Sequence, residues 1–158
     1  MRASLLLLGL LSCQTSSPWT RAYKISNMKE TIGGPKSLAR PGDFIIENDV
    51  IRVAILGERP SMGNHTEGGS ILDADLQRRN PRYSKGKGND RLSEVFSSVN
   101  LEVARIRHDE GEVKIVSKGG KEQSARICTT GDGRGFITML DALSGFLGEF
   151  RIRTDYIL

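Results

Sequence analysis

Two histidines, His65 and His108, are all the imidazole this chain carries. A catalytic zinc takes three protein ligands, often histidines held close together on rigid elements. The best local grouping is Asn64-His65-Thr66-Glu67, followed by Asp73 and Asp75. His65, Glu67 and Asp73 would converge if the loop folded back over its own strand. The plainer reading is a polar loop leading into a strand with one solvated face. His108 opens the turn His108-Asp109-Glu110-Gly111 and reads as solvent-exposed. Asp73 and Asp75 share one face of a strand by its period of two, about 7 Å apart. Carboxylates so paired can do acid/base or glycosidic work. They can also bind calcium with added loop oxygens, or simply face water, and Asp73 could cap the turn at Gly68-Gly69. His65, Glu67, Asp73 and Asp75 are therefore the ligand-binding candidates. No catalytic set, metal or cofactor is assigned.

Two glycine-rich pieces invite a phosphate-loop reading: Lys85-Gly86-Lys87-Gly88 and Gly131-Asp132-Gly133-Arg134-Gly135. Neither ends in the Gly-Lys-Ser/Thr of a P-loop, and neither sits in a strand–GxGxxG–helix context. Both read as flexible loops, the second preceding a helix whose N-terminus could hold an anion. No serine stands in a nucleophile-elbow pattern, and Cys128 lacks a placed catalytic partner. Cys128 reads as a small buried thiol in a strand-like run.

The other cysteine has a clearer role. Arg2 precedes a short apolar run, Leu5 to Leu11, and then Ser12 and Cys13. The run is within the roughly 7–15 residues of a signal-peptide apolar region. It is too short for a membrane-spanning helix, which needs about 20. Leu10-Leu11-Ser12-Cys13 resembles a bacterial lipobox. That pattern implies diacylglyceryl transfer to the Cys13 thiol, cleavage before it, and acylation of the new amine. Two or three acyl chains hold a protein far more firmly than one. Residues 1–12 are thus expected to be a lipoprotein signal peptide and residues 13–32 a lipid-anchored tether. Gln14, where aspartate would favour inner-membrane retention, points toward the outer membrane.

The remaining chain is one domain by length. Its 37% apolar and 27% charged residues fit a globular fold rather than a disordered one. The net charge is +4. The densest basic group, Arg78, Arg79, Arg82, Lys85 and Lys87, sits in a polar loop without aromatic platforms, so nucleic acid is not an expected partner. With Cys13 lipidated, Cys128 has no disulfide partner.

The pattern that must position these groups is mainly β. Residues 43–49 and 50–56 alternate about Asn48-Asp49, a tight turn. A strand follows at 71–76. Runs at 99–107 and 112–117 read as a hairpin. A turn at Lys118-Gly119-Gly120-Lys121 leads to a strand at 125–129. Phe136, Met139, Leu140, Leu143 and Leu147 lie at helical spacing, predicting one short helix near 136–146. Phe150, Ile152, Thr154, Tyr156 and Leu158 then alternate with polar residues as a closing strand. The expected architecture is a β-sandwich over 33–158, incomplete because the chain stops inside its last strand.

Three stretches carry a resemblance. They are Gly33-Gly34-Pro35-Lys36 with Leu38-Ala39-Arg40-Pro41-Gly42-Asp43, then Glu47-Asn48-Asp49 with its following strand, then Gly68-Gly69-Ser70-Ile71-Leu72-Asp73-Ala74. Together they resemble the N-terminal region of large bacterial surface lipoproteins, some continuing into CehA/McbA-type metallohydrolase domains. The order also resembles the opening of galactose-mutarotase-like sandwiches, and Arg153-Thr154-Asp155-Tyr156 is similar to a central strand of them. The resemblance implies a sandwich and specifies no activity. The hydrolase's metal-ligand clusters would lie beyond Leu158. Two expectations follow: a non-catalytic accessory or binding module with an envelope protein or glycan as partner, or the inactive front of a metal-dependent hydrolase. Glycan platforms are scarce, because aromatics are 6% and Trp19 falls in the expected tether.

Overall fold

The computed structural model describes residues 18–62, 67–82, 92–99, 102–107, 109–135 and 150–158. These residues build two antiparallel sheets. The first is a meander of β1 (Thr20–Lys24), β2 (Phe44–Asn48), β3 (Ile51–Ile55) and β4 (Ile71–Leu76), in that spatial order. The turn between β2 and β3 is set by Asn48, whose Oδ1 accepts from the N–H groups of Val50 (2.8 Å) and Ile51 (2.9 Å). Such side-chain mimicry of a backbone turn is why asparagine favours this position.

The second sheet holds β5 (Ser98–Val99), β6 (Glu102–Arg105), β7 (Gly111–Gly120), β8 (Gln123–Gly135) and β9 (Arg151–Ile157). β8 is its spine. Asp132 pairs with Arg105 of β6 and with Arg151 of β9, while Gly131 pairs with Gly111 of β7 and with Ile152 of β9. A strand has two edges, so β6 and β7 lie end to end along one edge of β8 and β9 occupies the other. Residues 106–110 are the excursion between them. They turn Ile106 into the core, and its N–H donates to the Glu67 carbonyl at 2.6 Å.

The sheets pack face to face, as alternating strands must to bury their apolar sides. Ala22, Phe44, Ile46 and Ile55 of the first sheet meet Val113, Ala125 and Ile127 of the second, with Ile106 from the excursion among them. The alternate residues Ile45 and Ala54 face the other way and join Ile25, Ala39, Leu56 and Leu72. The 25–43 segment thus covers part of the first sheet's outer face, which explains the unbroken Phe44-Ile45-Ile46 run: both faces are buried. Its base is closed by Ile25 N–H to the Asp43 carbonyl (2.7 Å) and Gly42 N–H to the Ile25 carbonyl (2.9 Å).

Four expectations need correction or placement. Residues 20–25, expected within a tether over 13–32, are instead folded: Thr20–Lys24 is a paired strand and Ile25 is core. Residues 99–107 and 112–117 do not form a hairpin with each other. Val99 pairs back with Glu102, and Glu102–Arg105 and residues 112–117 both pair antiparallel with β8, so they run in the same direction. Residues 131–135 are strand rather than loop. Glycine is required at 131, where a side chain would run into the Arg105 carbonyl. The helix expected near 136–146 lies outside the described residues. The closing strand finds its partner in β8, and the ladder continues to Leu158, which exchanges backbone hydrogen bonds with Ala125.

Candidate functional site

The residues singled out from sequence do not converge. Glu67 reaches the second sheet. Its carboxylate takes Arg105 Nε at 2.7 Å and also pairs with Arg107, while Arg105 bonds Glu110 at 2.9 Å. Asp73 and Asp75 do share a face of β4, opposite Ala54 and Arg52 respectively. Asp73 is buried. Asp75 is held by both ends of the Arg78 guanidinium, at 2.8 and 2.7 Å. That bidentate bond holds the Asp75 carboxyl below its ordinary range and raises Arg78. His65, His108 and Cys13 lie outside the described residues. Among the described residues no three of His, Cys, Asp or Glu are grouped as a metal site requires.

What the fold does assemble is a row of charges across the outer face of the first sheet. Registers place Arg21 opposite Glu47, Glu47 opposite Arg52, and Arg52 opposite Asp75. Alternating signs on neighbouring strands attract. Glu47 is fully buried, and three side chains donate to it: Arg21 Nη2 at 2.8 Å, Arg52 Nε at 2.7 Å and Gln77 Nε2 at 3.3 Å. Arg52 also donates to the Tyr23 hydroxyl (3.0 Å) and the Glu30 carbonyl (2.9 Å). Burial would lower the Arg52 pKa, but the Tyr23 bond and the Glu47 charge raise it overall. A second buried carboxylate, Asp43, accepts from Arg40 N–H, Gly57 N–H and Arg59. These arginines are bound within the fold; the row stabilises the sheet.

Beside this row the molecule opens. Among the described residues, the strand registers give β1 only β2 and β7 only β8, so each has an open edge, and these edges run close together. Between them lies a groove of about 540 Å³ lined by Trp19, Arg21, Tyr23, Lys24, Ile115 and Lys118 with Gly119 and Gly120. Arg21 and Tyr23 are alternate residues of β1, and Trp19 continues the alternation just before it, bridged to Lys121. The Arg21 guanidinium lies 4.3 Å from the Tyr23 ring centre and 5.8 Å from that of Trp19, a cation–π arrangement. The top of the groove is fixed by Glu122 N–H donating to the Pro18 carbonyl at 2.8 Å and by Thr20 Oγ1 bonding the Gln123 carbonyl. Gly119, at φ +75°, lets Thr20 approach where a side chain would collide.

The outer face of the second sheet carries the thiol. Cys128 is partly exposed there rather than fully buried, opposite Asp155. Asp155 takes Arg126 and Arg153, and these bonds hold its carboxyl well below the usual range. Burial first, and hydrogen bonding to Asp155 second, push the Cys128 thiol up, the opposite of what a nucleophile needs.

Sequence reasoning passed over Trp19, Arg21 and Arg52. The available signal was Glu47 closing the apolar run 44–46, since a carboxylate there demands buried cationic partners. No protein-family model, curated protein or solved structure matches this chain.

Proposed function

We propose that the chain is an exported lipoprotein, cut before Cys13 and held at the cell envelope, the outer membrane before the inner, by lipid on that cysteine. Its sandwich works there as a non-catalytic accessory or binding module for an envelope protein or glycan. The lipobox-like Leu10-Leu11-Ser12-Cys13 supports the anchor. One observation supports binding over catalysis. The half-buried carboxylates among the sequence candidates are each tied to arginine: Glu67 to Arg105 and Arg107, Asp75 to Arg78. A carboxylate so paired has its lone pairs engaged by the guanidinium. It is poorly placed to exchange a proton.

The test is metabolic labelling with a palmitate analogue. The native chain takes the label and migrates at the processed size. Cys13→Ala takes none and remains uncut; label surviving that change would refute the anchor. Zinc- or calcium-dependent thermal stabilisation of the purified protein would refute the metal-free module.

A further inference from the structure

The groove between β1 and β7 has an unusual position in the chain. Trp19, at its mouth, is six residues after Cys13. Six residues span at most about 20 Å. An anchor at Cys13 therefore keeps this flank within one short tether of the bilayer surface, whichever way the rest of the domain points. This step rests on the lipid-anchor reading above.

The chemistry of the flank suits such a surface. Residues 18–24 and 115–123 carry four basic side chains, Arg21, Lys24, Lys118 and Lys121, against the single carboxylate of Glu122. Among the described residues Lys24, Lys118 and Lys121 form no ion pair, and all three are exposed. Arg21 is committed to Glu47, whereas Lys24 only overlies the Phe44 ring at 5.4 Å, so the lysines are the charges a ligand can take. Trp19 is the sole tryptophan of the chain and is half-buried. Tryptophan and tyrosine settle at the headgroup level of membranes, where one end of the ring is apolar and the other wet. Lysines beside them attract anionic headgroups.

We infer that this groove docks on the membrane that carries the anchor, seating the phosphates of anionic phospholipids between Lys24 and Lys118 with Trp19 at headgroup depth. The lipid and the groove are then two signals for one membrane, which together fix the orientation of the sandwich.

The sole tryptophan makes this measurable. The full chain, processed at Cys13, is reconstituted into phosphatidylcholine vesicles with or without about one-third phosphatidylglycerol, a range in which juxtamembrane lysines respond to surface charge. Both sets carry a headgroup-labelled quenching lipid. Docking predicts blue-shifted, strongly quenched Trp19 emission with phosphatidylglycerol. At least half of that quenching is lost in phosphatidylcholine alone, in high salt, and in the exposed-site variant Lys24→Glu/Lys118→Glu. If the protein stays on the vesicles but quenching ignores lipid charge and both substitutions, docking is overturned while the anchor stands. If the protein does not stay on the vesicles, the anchor fails and docking with it. If a polyglutamate peptide shifts Trp19 emission and phosphatidylglycerol does not, the groove takes an acidic chain, and docking is again overturned.

Discussion

Glu47 is the residue on which the outer face of the first sheet depends. Its carboxylate is fully buried and shared by Arg21 and Arg52. Removing one partner of a buried pair strands the other charge, and that costs about 3–5 kcal/mol. Glu47→Ala should therefore lose about 3 kcal/mol of stability, read from the urea midpoint. Arg21→Ala should lose about 1 kcal/mol or less, since Arg21 is nearly half exposed and Arg52 still holds Glu47. Equal losses would mean that the row acts by packing rather than charge. Cys128 offers a second test at this scale. The thiolate is the reactive form, so a raised pKa moves the alkylation profile to higher pH. Iodoacetamide should label Cys128 slowly at neutral pH. Asp155→Asn should shift the profile downward by removing the carboxylate that the thiol bonds; an unchanged profile would leave burial as the sole cause.

At the scale of elements, β9 is tied across the sandwich by one side chain. The Tyr156 hydroxyl donates to the Gly69 carbonyl at 2.5 Å. Gly68 and Gly69, at φ +78° and +73°, bring that carbonyl close by packing directly on Ile106. Burial pushes the Tyr156 phenol up to about 12. An acid whose folded pKa is raised stabilises the fold while it stays protonated. That contribution is intact below the ordinary tyrosine value of about 10 and fades as pH climbs toward about 12. Stability should thus fall over this alkaline window, and Tyr156→Phe should flatten the fall while lowering stability at neutral pH. Denaturation at pH 8 and pH 11 for both proteins decides it.

The same scale shows what was legible. Strands β2, β3 and β4 could be read because local alternation, β-branched residues and Asn48 agree with their neighbours in space. β1 could not: Thr-Arg-Ala-Tyr-Lys alternates, but it is short, and its partner lies twenty residues on. The glycines at 131, 133 and 135 look like a loop until both edges of β8 are filled, because close approach between backbones leaves no local signature. The excursion at 106–110 resembles a turn for the same reason. The proposed site suffered most. Arg21 and Arg52 meet at Glu47 through register alone, and Trp19 reads as tether until Lys121 is brought to it.

For the whole molecule, the described fold already includes Pro18 and β1. A chain starting at Ser26 would lack β1, exposing Ala22's place in the core and one side of β2. It should lose its cooperative melt and aggregate through that bare edge. A chain starting at Pro18 should melt as the full chain does. Circular dichroism melts of the two separate a working strand from a tether.

The contact between Thr20 and Gln123 spans 103 positions, and this governs the order of assembly. Synthesis releases the N-terminal end first, so β1 emerges long before the β7–β8 turn that receives it exists. Closing so long a loop is slow, whereas β7 and β8 meet across two residues. β1 is thus first out, and its edge toward β7 closes only after the β7–β8 turn is made. In the interval its open edge and Trp19 are free, and the nascent chain is at its most vulnerable to pairing with a neighbour.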